Sequence, residues 1–211
     1  MKIKKSLFIS FEGLDGSGKS TQVTLLETYL LDKGYSPLIL RDPGSTAIGE
    51  LIRNILLDKA NMQMNHVTEL LLYAAARSQM VSEKILPALE EGKIVISDRF
   101  FDSTTAYQGY GRQLPKELID HLNSIGSHKL DPDLSIFLDL DITIGLERLD
   151  KSRARDRMET EDLQFKQRVR KAFLDLAQKE PLRFITVDAE KDPQQVHQTI
   201  CKIVQERLNK F

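Results

Sequence analysis

Short apolar runs alternate along the chain with longer stretches in which apolar residues recur at helical spacing. The apolar runs are nearly continuous, which is typical of strands covered on both faces. The predicted strands are Leu7–Phe11, Pro37–Leu40, Ile94–Ser97, Leu134–Leu140 and Phe184–Val187. The predicted helices are Lys19–Lys33, Ala47–Leu57, His66–Glu91, Pro115–Ser127, Ile142–Lys151, Asp162–Gln178 and Pro193–Leu208. This alternation predicts an α/β fold with a parallel sheet flanked by helices, in a single domain over residues 1–211.

Composition excludes some function classes. The 211 residues carry a net charge of −1, so nothing favours nucleic acid or an anionic membrane as a partner. The basic start is followed by an apolar run that ends at Glu12, which fits neither a signal peptide nor a membrane span. The single cysteine, Cys201, has no partner for an internal disulfide, and we expect a reducing, cytoplasmic location.

The segment Gly13–Thr21 reads GLDGSGKST between a predicted strand and a predicted helix. It fits the phosphate-binding pattern GxxxxGK[ST], in which glycines let backbone N–H groups wrap a polyphosphate. We expect Lys19 to contact the β- and γ-phosphates of a nucleoside triphosphate, and Ser20 to offer its hydroxyl to Mg²⁺. The residues predicted to bind ATP are Gly13, Leu14, Asp15, Gly16, Ser17, Gly18, Lys19, Ser20 and Thr21.

Other candidate residues follow the later strands. Asp98 follows directly after the third predicted strand and is a candidate magnesium-associated carboxylate, with Arg99 next to it as a phosphate ligand. Arg53 offers a guanidinium either to a second phosphate or to a surface ion pair with Glu50. The remaining candidates combine aromatic rings with neutral or forked hydrogen-bonding groups, which suit an uncharged heterocycle. They are Tyr73, Arg77, Thr104, Tyr107 and Gln108.

A basic cluster lies in the segment 148–159. A run of charge is usually a solvated face, but beside a phosphate loop it also fits a mobile lid that brings arginines to a phosphoryl group. We expect this lid over about residues 150–160.

Taken in order, these motifs resemble bacterial thymidylate kinases of the nucleoside monophosphate kinase superfamily. The matching stretches are Phe11–Thr21, Arg41–Gly44, Leu72–Arg77, Asp98–Phe100, Ser103–Gly109 and Asp156–Glu159. The resemblance implies a five-stranded parallel sheet with helices on both faces, as in P-loop NTPases. It also implies the reaction of ATP with dTMP to give ADP and dTDP, with Mg²⁺, in a homodimer. Asp42 stands where the family usually has Glu.

The resemblance also implies residue roles at the dTMP site. Asp15 reaches the 3′-hydroxyl side of dTMP, and Arg53 and Arg99 hold its phosphate. Tyr73 takes the place of an aromatic that stacks on thymine, and Arg77 donates to the O4 region. Thr104 and Gln108 meet the other polar edge of the base, while Tyr107 packs under the deoxyribose.

The loop itself holds no basic residue over Leu14–Ser17. In one branch of the family a loop arginine stabilises the transferring phosphate, and in the other, lid arginines do so. Arg153, Arg155 and Arg157 match the second arrangement, and we expect them to act in catalysis with Lys19 and Arg99.

Two other functions stay open at this point. Another monophosphate kinase would share the phosphate loop, and the discriminating feature is the pocket of aromatic and neutral polar residues. A nucleotide-dependent switch would be expected to carry a guanine-reading NKxD motif, and the sequence has none.

Overall fold

The computed structural model describes residues 6–149 and 156–210. Within these ranges five strands form one sheet in the order β2-β3-β1-β4-β5, and every neighbouring pair is parallel. The strands are β1 (Leu7–Glu12), β2 (Pro37–Arg41), β3 (Ile94–Asp98), β4 (Leu134–Asp139) and β5 (Phe184–Asp188). Each predicted strand is confirmed, with its end shifted by one residue.

Helices connect the strands across both faces of the sheet. They are α1 (Lys19–Asp32), α2 (Ala47–Leu57), α3 (His66–Met80), α4 (Leu86–Glu90), α5 (Phe101–Thr104), α6 (Lys116–Gly126), α7 (Ile142–Arg148), α8 (Leu163–Lys179) and α9 (Pro193–Lys210). A π-helical turn, Val81–Ile85, joins α3 to α4, and a π-helical segment, Thr105–Gly111, extends α5. A 3₁₀ turn, Lys59–Asn61, follows α2. No helix in the described ranges is both long and apolar enough to cross a membrane.

The predicted helices are present, with two main differences. The helix predicted over His66–Glu91 is interrupted by the π turn. The helical residues 101–111 have no counterpart among the predicted elements. The helix predicted over Ile142–Lys151 ends at Arg148, and residues 150 and 151 lie outside the described residues. Gly126, one residue before the predicted helix end, is the last residue of α6. A Cβ there would lie 3.0 Å from the Ala74 carbonyl oxygen, so a larger residue would push α6 away from α3.

The core lies on both sides of β1, which explains its continuous apolar character. Leu7, Ile9 and Phe11 pack into the cluster formed with α1 and α9. Phe8 faces the opposite side, where its ring meets that of Phe100 edge-on at 4.8 Å between centroids. Burying one such side chain contributes roughly 1.5–3 kcal/mol, so a polar residue in this strand would be costly on either face.

The carboxyl ends of three neighbouring strands meet at one edge of the sheet. The strand β1 runs into the loop that precedes α1, and β2 and β3 end at Arg41 and Asp98, which are register partners. Phe11 of β1 lies opposite the same aspartate. Ligands of open parallel sheets bind at this edge, so the functional site is expected here.

Candidate active site

A cleft of about 720 Å³ opens at the carboxyl ends of β1, β2 and β3. It extends from the phosphate loop past the end of β3 to α3 and the π-helical segment. Most of the residues predicted from the sequence line this one cleft: Asp15, Gly16, Ser17, Gly18, Lys19, Ser20, Thr21, Arg53, Tyr73, Arg77, Asp98, Arg99, Thr104, Tyr107 and Gln108. Gly13 and Leu14 lie just outside it, and the Gly13 carbonyl oxygen accepts hydrogen bonds from Lys19 and Arg99.

The phosphate loop depends on glycine at specific positions. Gly16 has φ +81°, and a Cβ there would lie 2.2 Å from the carbonyl oxygen of Gly145 in α7. Gly18 adopts the left-handed conformation, with φ 89° and ψ 15°, at the point where α1 begins. Larger residues are therefore excluded by contact at the first position and by conformation at the second. The result is a helix N-terminus open toward the cleft, where an anion is stabilised by the helix dipole.

Lys19 lies across the loop. Its Nζ donates to the carbonyl oxygens of Gly13 at 3.1 Å and Leu14 at 3.0 Å, and the residue is 7% exposed. Burial, together with the nearby charge of Arg99, lowers the pKa of the Lys19 ammonium to about 8. The lysine is thus held beside the anion-binding turn with its charge poorly compensated, so a phosphate there would be strongly attracted to it.

Ser20 and Asp98 offer oxygen ligands side by side. The Ser20 hydroxyl donates to Asp98 Oδ2 at 3.3 Å, joining the start of α1 to the end of β3. A hydroxyl and a carboxylate fit Mg²⁺, which usually takes one or two protein oxygens, with substrate phosphates and water completing the shell. The donor chemistry of the pair therefore fits the ion that the sequence predicts at these two residues.

A second group of cationic side chains faces the cleft beyond the loop. Arg99 Nη2 donates to Asp15 Oδ1 at 2.8 Å, and its guanidinium lies 5.0 Å from the ring centre of Tyr107. Arg53 is held by a hydrogen bond to the Pro43 carbonyl oxygen at 3.0 Å. Burial raises the pKa of the Asp15 carboxyl, but the charges of Arg99 and Lys19 outweigh it and the net pKa is lowered. Two guanidiniums that line the same cleft have the charge and the hydrogen-bond donors that a second anion needs.

The far end of the cleft is aromatic and hydrogen-bonding. Arg77 is 1% exposed; its Nε donates to Asp42 Oδ2 at 2.5 Å and its Nη2 to the Thr104 hydroxyl at 2.6 Å. The Tyr107 ring packs edge-on near Phe165, at 6.1 Å between centroids. Such a wall suits a flat, uncharged ring with polar edges.

Arg157 lies elsewhere than the sequence predicts for a phosphate-contacting group. It is 2% exposed and pairs with Glu69 Oε2 at 2.6 Å, while its Nε donates to the Leu56 carbonyl oxygen at 2.7 Å. It does not line the cleft. The buried carboxylate of Glu69 holds this arginine in an ion pair beside α2 and α3, outside the lining of the cleft. Arg153 and Arg155 lie outside the described residues.

Three buried carboxylates around the cleft have no site role in the sequence analysis. Asp42 pairs with Arg77, Glu69 pairs with Arg157 and Arg112, and Glu12 accepts from the Phe100 backbone and the Ser103 hydroxyl. One signal was available for Glu69, since it lies four residues before Tyr73 and therefore on the same face of α3. No local pattern indicates the contacts of Asp42 or Glu12, because their partners are distant in sequence.

A phosphate loop at the edge of a parallel sheet, with a buried lysine and a Ser–Asp pair beside it, defines a P-loop nucleotide-binding protein. Comparison with known proteins narrows this class. The thymidylate kinase family model matches residues 11–200. The thymidylate kinase of Pelobacter propionicus is 47% identical over 209 residues, covering 96% of this chain and 95% of its own length. That of Thermoanaerobacter sp. is also 47% identical, covering 97% and 100%.

A solved structure agrees with these sequence relatives. The crystal structure of thymidylate kinase from Ehrlichia chaffeensis matches with a TM-score of 0.80 at 35% identity, over 95% of this chain and 99% of that one. The chain belongs to the thymidylate kinase family. It is therefore a kinase with nucleotide substrates.

Proposed function

We propose that this cleft carries out the Mg²⁺-dependent transfer of the γ-phosphoryl group from ATP to dTMP, giving ADP and dTDP for DNA synthesis. One observation carries the proposal: the phosphate loop and the aromatic pocket share a single cleft, with Arg53 and Arg99 facing it between them. This arrangement suits two nucleotides bound with their phosphates toward each other. Membership of the thymidylate kinase family supports the choice of acceptor.

On the donor side, the loop residues hold the triphosphate of ATP. Backbone N–H groups at the start of α1 donate to phosphate oxygens, and Lys19 leaves the Gly13 and Leu14 carbonyls to contact the β- and γ-phosphates. Ser20 and Asp98 would hold Mg²⁺ beside this triphosphate, where its positive charge would offset that of the phosphate oxygens.

On the acceptor side, Arg53 and Arg99 hold the dTMP phosphate in line with the γ-phosphoryl group. Asp15 accepts from the 3′-hydroxyl, while Tyr107 packs under the deoxyribose and leaves no room for a 2′-hydroxyl. Tyr73 stacks on the thymine ring. Stacking through the ring face needs no charge on the side chain. Burial raises the pKa of the Tyr73 phenol, so this side chain stays neutral.

Base choice follows from the polar wall. Arg77 donates to thymine O4, where cytosine carries an amino donor instead. Two facing donors would leave both unpaired, so dCMP is rejected. Thr104 and Gln108 read the remaining polar edge of the ring.

Transfer is direct, because the dTMP phosphate is already a nucleophile near neutral pH. Positioning and charge stabilisation then account for most of the catalysis. Lys19 and Arg99 neutralise charge that builds up on the transferring group. A lid over about residues 150–160, with Arg153 and Arg155 as its cationic contributors, would exclude water and add charge.

We also propose that the enzyme is a cytoplasmic homodimer. A set of exposed apolar side chains on α2, α3 and α6 supports a second copy as the occupant of that surface: Ile48, Leu51, Ile55, Val67, Leu71 and Ile125. Leu51 is 65% exposed. Light scattering after gel filtration should give twice the monomer mass for the wild type, and Leu51→Asp should shift it to one copy; a wild-type monomer would contradict the proposal.

A coupled ADP-release assay tests the reaction. Mg²⁺-ATP is supplied with dTMP, dGMP, dCMP or no acceptor, and release should depend on dTMP. If dTMP were no better than dGMP or dCMP, the chain would be another monophosphate kinase. Release that needs no monophosphate would instead favour a nucleotide-dependent switch.

A further inference from the structure

We propose that Glu69 is a positioning residue for base selection. By accepting the amide N–H of Gln108, it turns the amide oxygen toward the bound base, and so favours a ring that carries an N–H donor, as thymine and uracil do at N3. The proposal deepens the function given above and rests on it. Nothing in the family resemblance assigns Glu69 a role.

Glu69 lies in the first turn of α3, beneath the wall of the cleft, with no exposed surface. Its Oε1 accepts from Gln108 Nε2 at 2.8 Å and from Arg112 Nε at 3.1 Å. Its Oε2 accepts from Arg112 Nη2 at 3.1 Å and from Arg157 Nη1 at 2.6 Å. One carboxylate thus holds two guanidiniums and one amide that borders the cleft.

These contacts fix the charge of Glu69. Burial raises the pKa of its carboxyl, but hydrogen bonds from Arg112 and Gln108 and the charges of Arg112 and Arg157 outweigh it, so the net pKa is lowered. An ionised carboxylate only accepts hydrogen bonds. The amide of Gln108 must therefore present its NH₂ group to Glu69.

The opposite atom of the amide is then the one available to a ligand. Gln108 lines the cleft, and its Oε1 accepts no hydrogen bond from the residues that the structure describes. A free amide could rotate and offer either a donor or an acceptor, because the two ends have nearly the same shape. With Glu69 behind it, Gln108 offers an acceptor alone.

The neighbouring Thr104 hydroxyl has the opposite polarity and offers a donor. Arg77 only donates, and its Nη2 donates to the Thr104 hydroxyl, so the Thr104 proton is left for the ligand. The wall therefore offers donors from Arg77 and Thr104 and an acceptor from Gln108. The polar edge of thymine carries two carbonyl acceptors and the N3–H donor between them, whereas N3 of cytosine is an acceptor.

The test is the ratio of kcat/KM for dTMP to that for dCMP. Glu69→Gln should lower this ratio roughly ten-fold, because the Gln108 amide is free to turn and no longer penalises an acceptor at N3. The ratio of dTMP to dUMP should stay at the wild-type value, because both bases carry N3–H. Glu69→Asp keeps an acceptor-only carboxylate and should retain most of the dTMP preference.

Arg112→Gln is the matched control. It removes an ion pair from Glu69 but leaves the Gln108 contact, so stability should fall while the dTMP to dCMP ratio holds. If Glu69→Gln alone does not fold, combining it with Arg112→Gln removes one stranded guanidinium, and the double variant is compared with Arg112→Gln. In a Gln108→Met background, Glu69→Gln should have no further effect on the ratio.

Equal losses for dTMP and dCMP in Glu69→Gln, or an equal fall in their ratio in Arg112→Gln, would overturn the inference by showing a merely structural role. That outcome differs from failure of the proposed function, in which the wild type itself would not phosphorylate dTMP.

Discussion

Replacing Arg77 should lower both the stability of the protein and its recognition of the base. A second substitution, at Asp42, should restore the stability without restoring the recognition. Its guanidinium pairs with Asp42 at 2.5 Å, and the side chains of both residues are 1% exposed. Arg77→Met fills much of the same volume but removes the ion-pair partner of the buried Asp42 carboxylate. Asp42 Oδ1 already lacks a hydrogen-bond donor among the described residues, so no second contact compensates.

The magnitude follows from this burial. Breaking a buried ion pair by removing one partner costs about 3–5 kcal/mol, a large part of a typical stability of about 5–15 kcal/mol. For a chain of this size the melting temperature should fall by roughly 6–20 °C. Adding Asp42→Asn removes the stranded charge and should recover the larger part of the loss. The KM for dTMP should rise roughly 10- to 100-fold in both variants, because the donor to thymine O4 is gone in each.

Urea unfolding gives the stability of the wild type, Arg77→Met and the double variant, and the coupled ADP-release assay gives the KM for dTMP. ATP affinity should stay near normal in all three, because Lys19 and the phosphate loop are unchanged. A double variant that is no more stable than Arg77→Met would refute the stabilising role of the ion pair. A wild-type KM for dTMP in either variant would refute the role of Arg77 in base recognition.

The remaining predictions concern the phosphate loop. Lys19→Ala should lower kcat by orders of magnitude while circular dichroism stays native, and an active variant would remove Lys19 from the mechanism. ADP binding favours the charged form of Lys19, whose pKa is about 8 before binding. Calorimetry should therefore show the affinity for ADP falling as the pH rises through about 8, by up to about ten-fold per pH unit. An affinity that stays constant up to about pH 9.5 would count against this role of Lys19. Gly16→Ala should weaken ADP binding and lower the free energy of unfolding in urea by roughly 1–3 kcal/mol, because φ is +81° and the Gly145 carbonyl oxygen blocks the new Cβ. Unchanged ADP affinity and unchanged stability would exclude this steric explanation.

The sheet could be predicted from the sequence because its central strands are buried on both faces. The six residues of β1 are all buried, and the same holds for the first four of β3. A continuous apolar run is the direct trace of that environment. The order of the strands could not be predicted from the apolar runs, because pairing joins segments that are far apart in the chain.

The helical residues 101–111 escaped prediction for a local reason. They include Gly109 and Gly111, which are weak helix formers, and most of the segment is a π-helix without the usual 3.6-residue period. A side chain at Gly111 would collide with the Phe165 ring, at 2.6 Å from its Cβ. Packing against α8 therefore sets the residue type here, and local helix preference does not.

The residues of the candidate site could be predicted where their chemistry depends on sequence neighbours, and not where it depends on distant partners. The phosphate loop follows from the sequence because its chemistry is carried by neighbouring residues. Arg157 could not be assigned from spacing, because its partner Glu69 lies 88 residues earlier in the chain and a charged cluster looks the same whether it faces solvent, phosphate or a buried carboxylate. Long-range ion pairs of this kind become visible only when the fold is known.

Phosphoryl transfer between two nucleotides is tested most directly by a rapid-quench experiment with ATP labelled in the γ-phosphate, Mg²⁺ and dTMP. Chromatography of the products should show the label passing into dTDP, at a rate that saturates with dTMP and is lost in Lys19→Ala. Label released as inorganic phosphate without labelled dTDP would contradict the claim that this cleft joins two nucleotides for phosphoryl transfer.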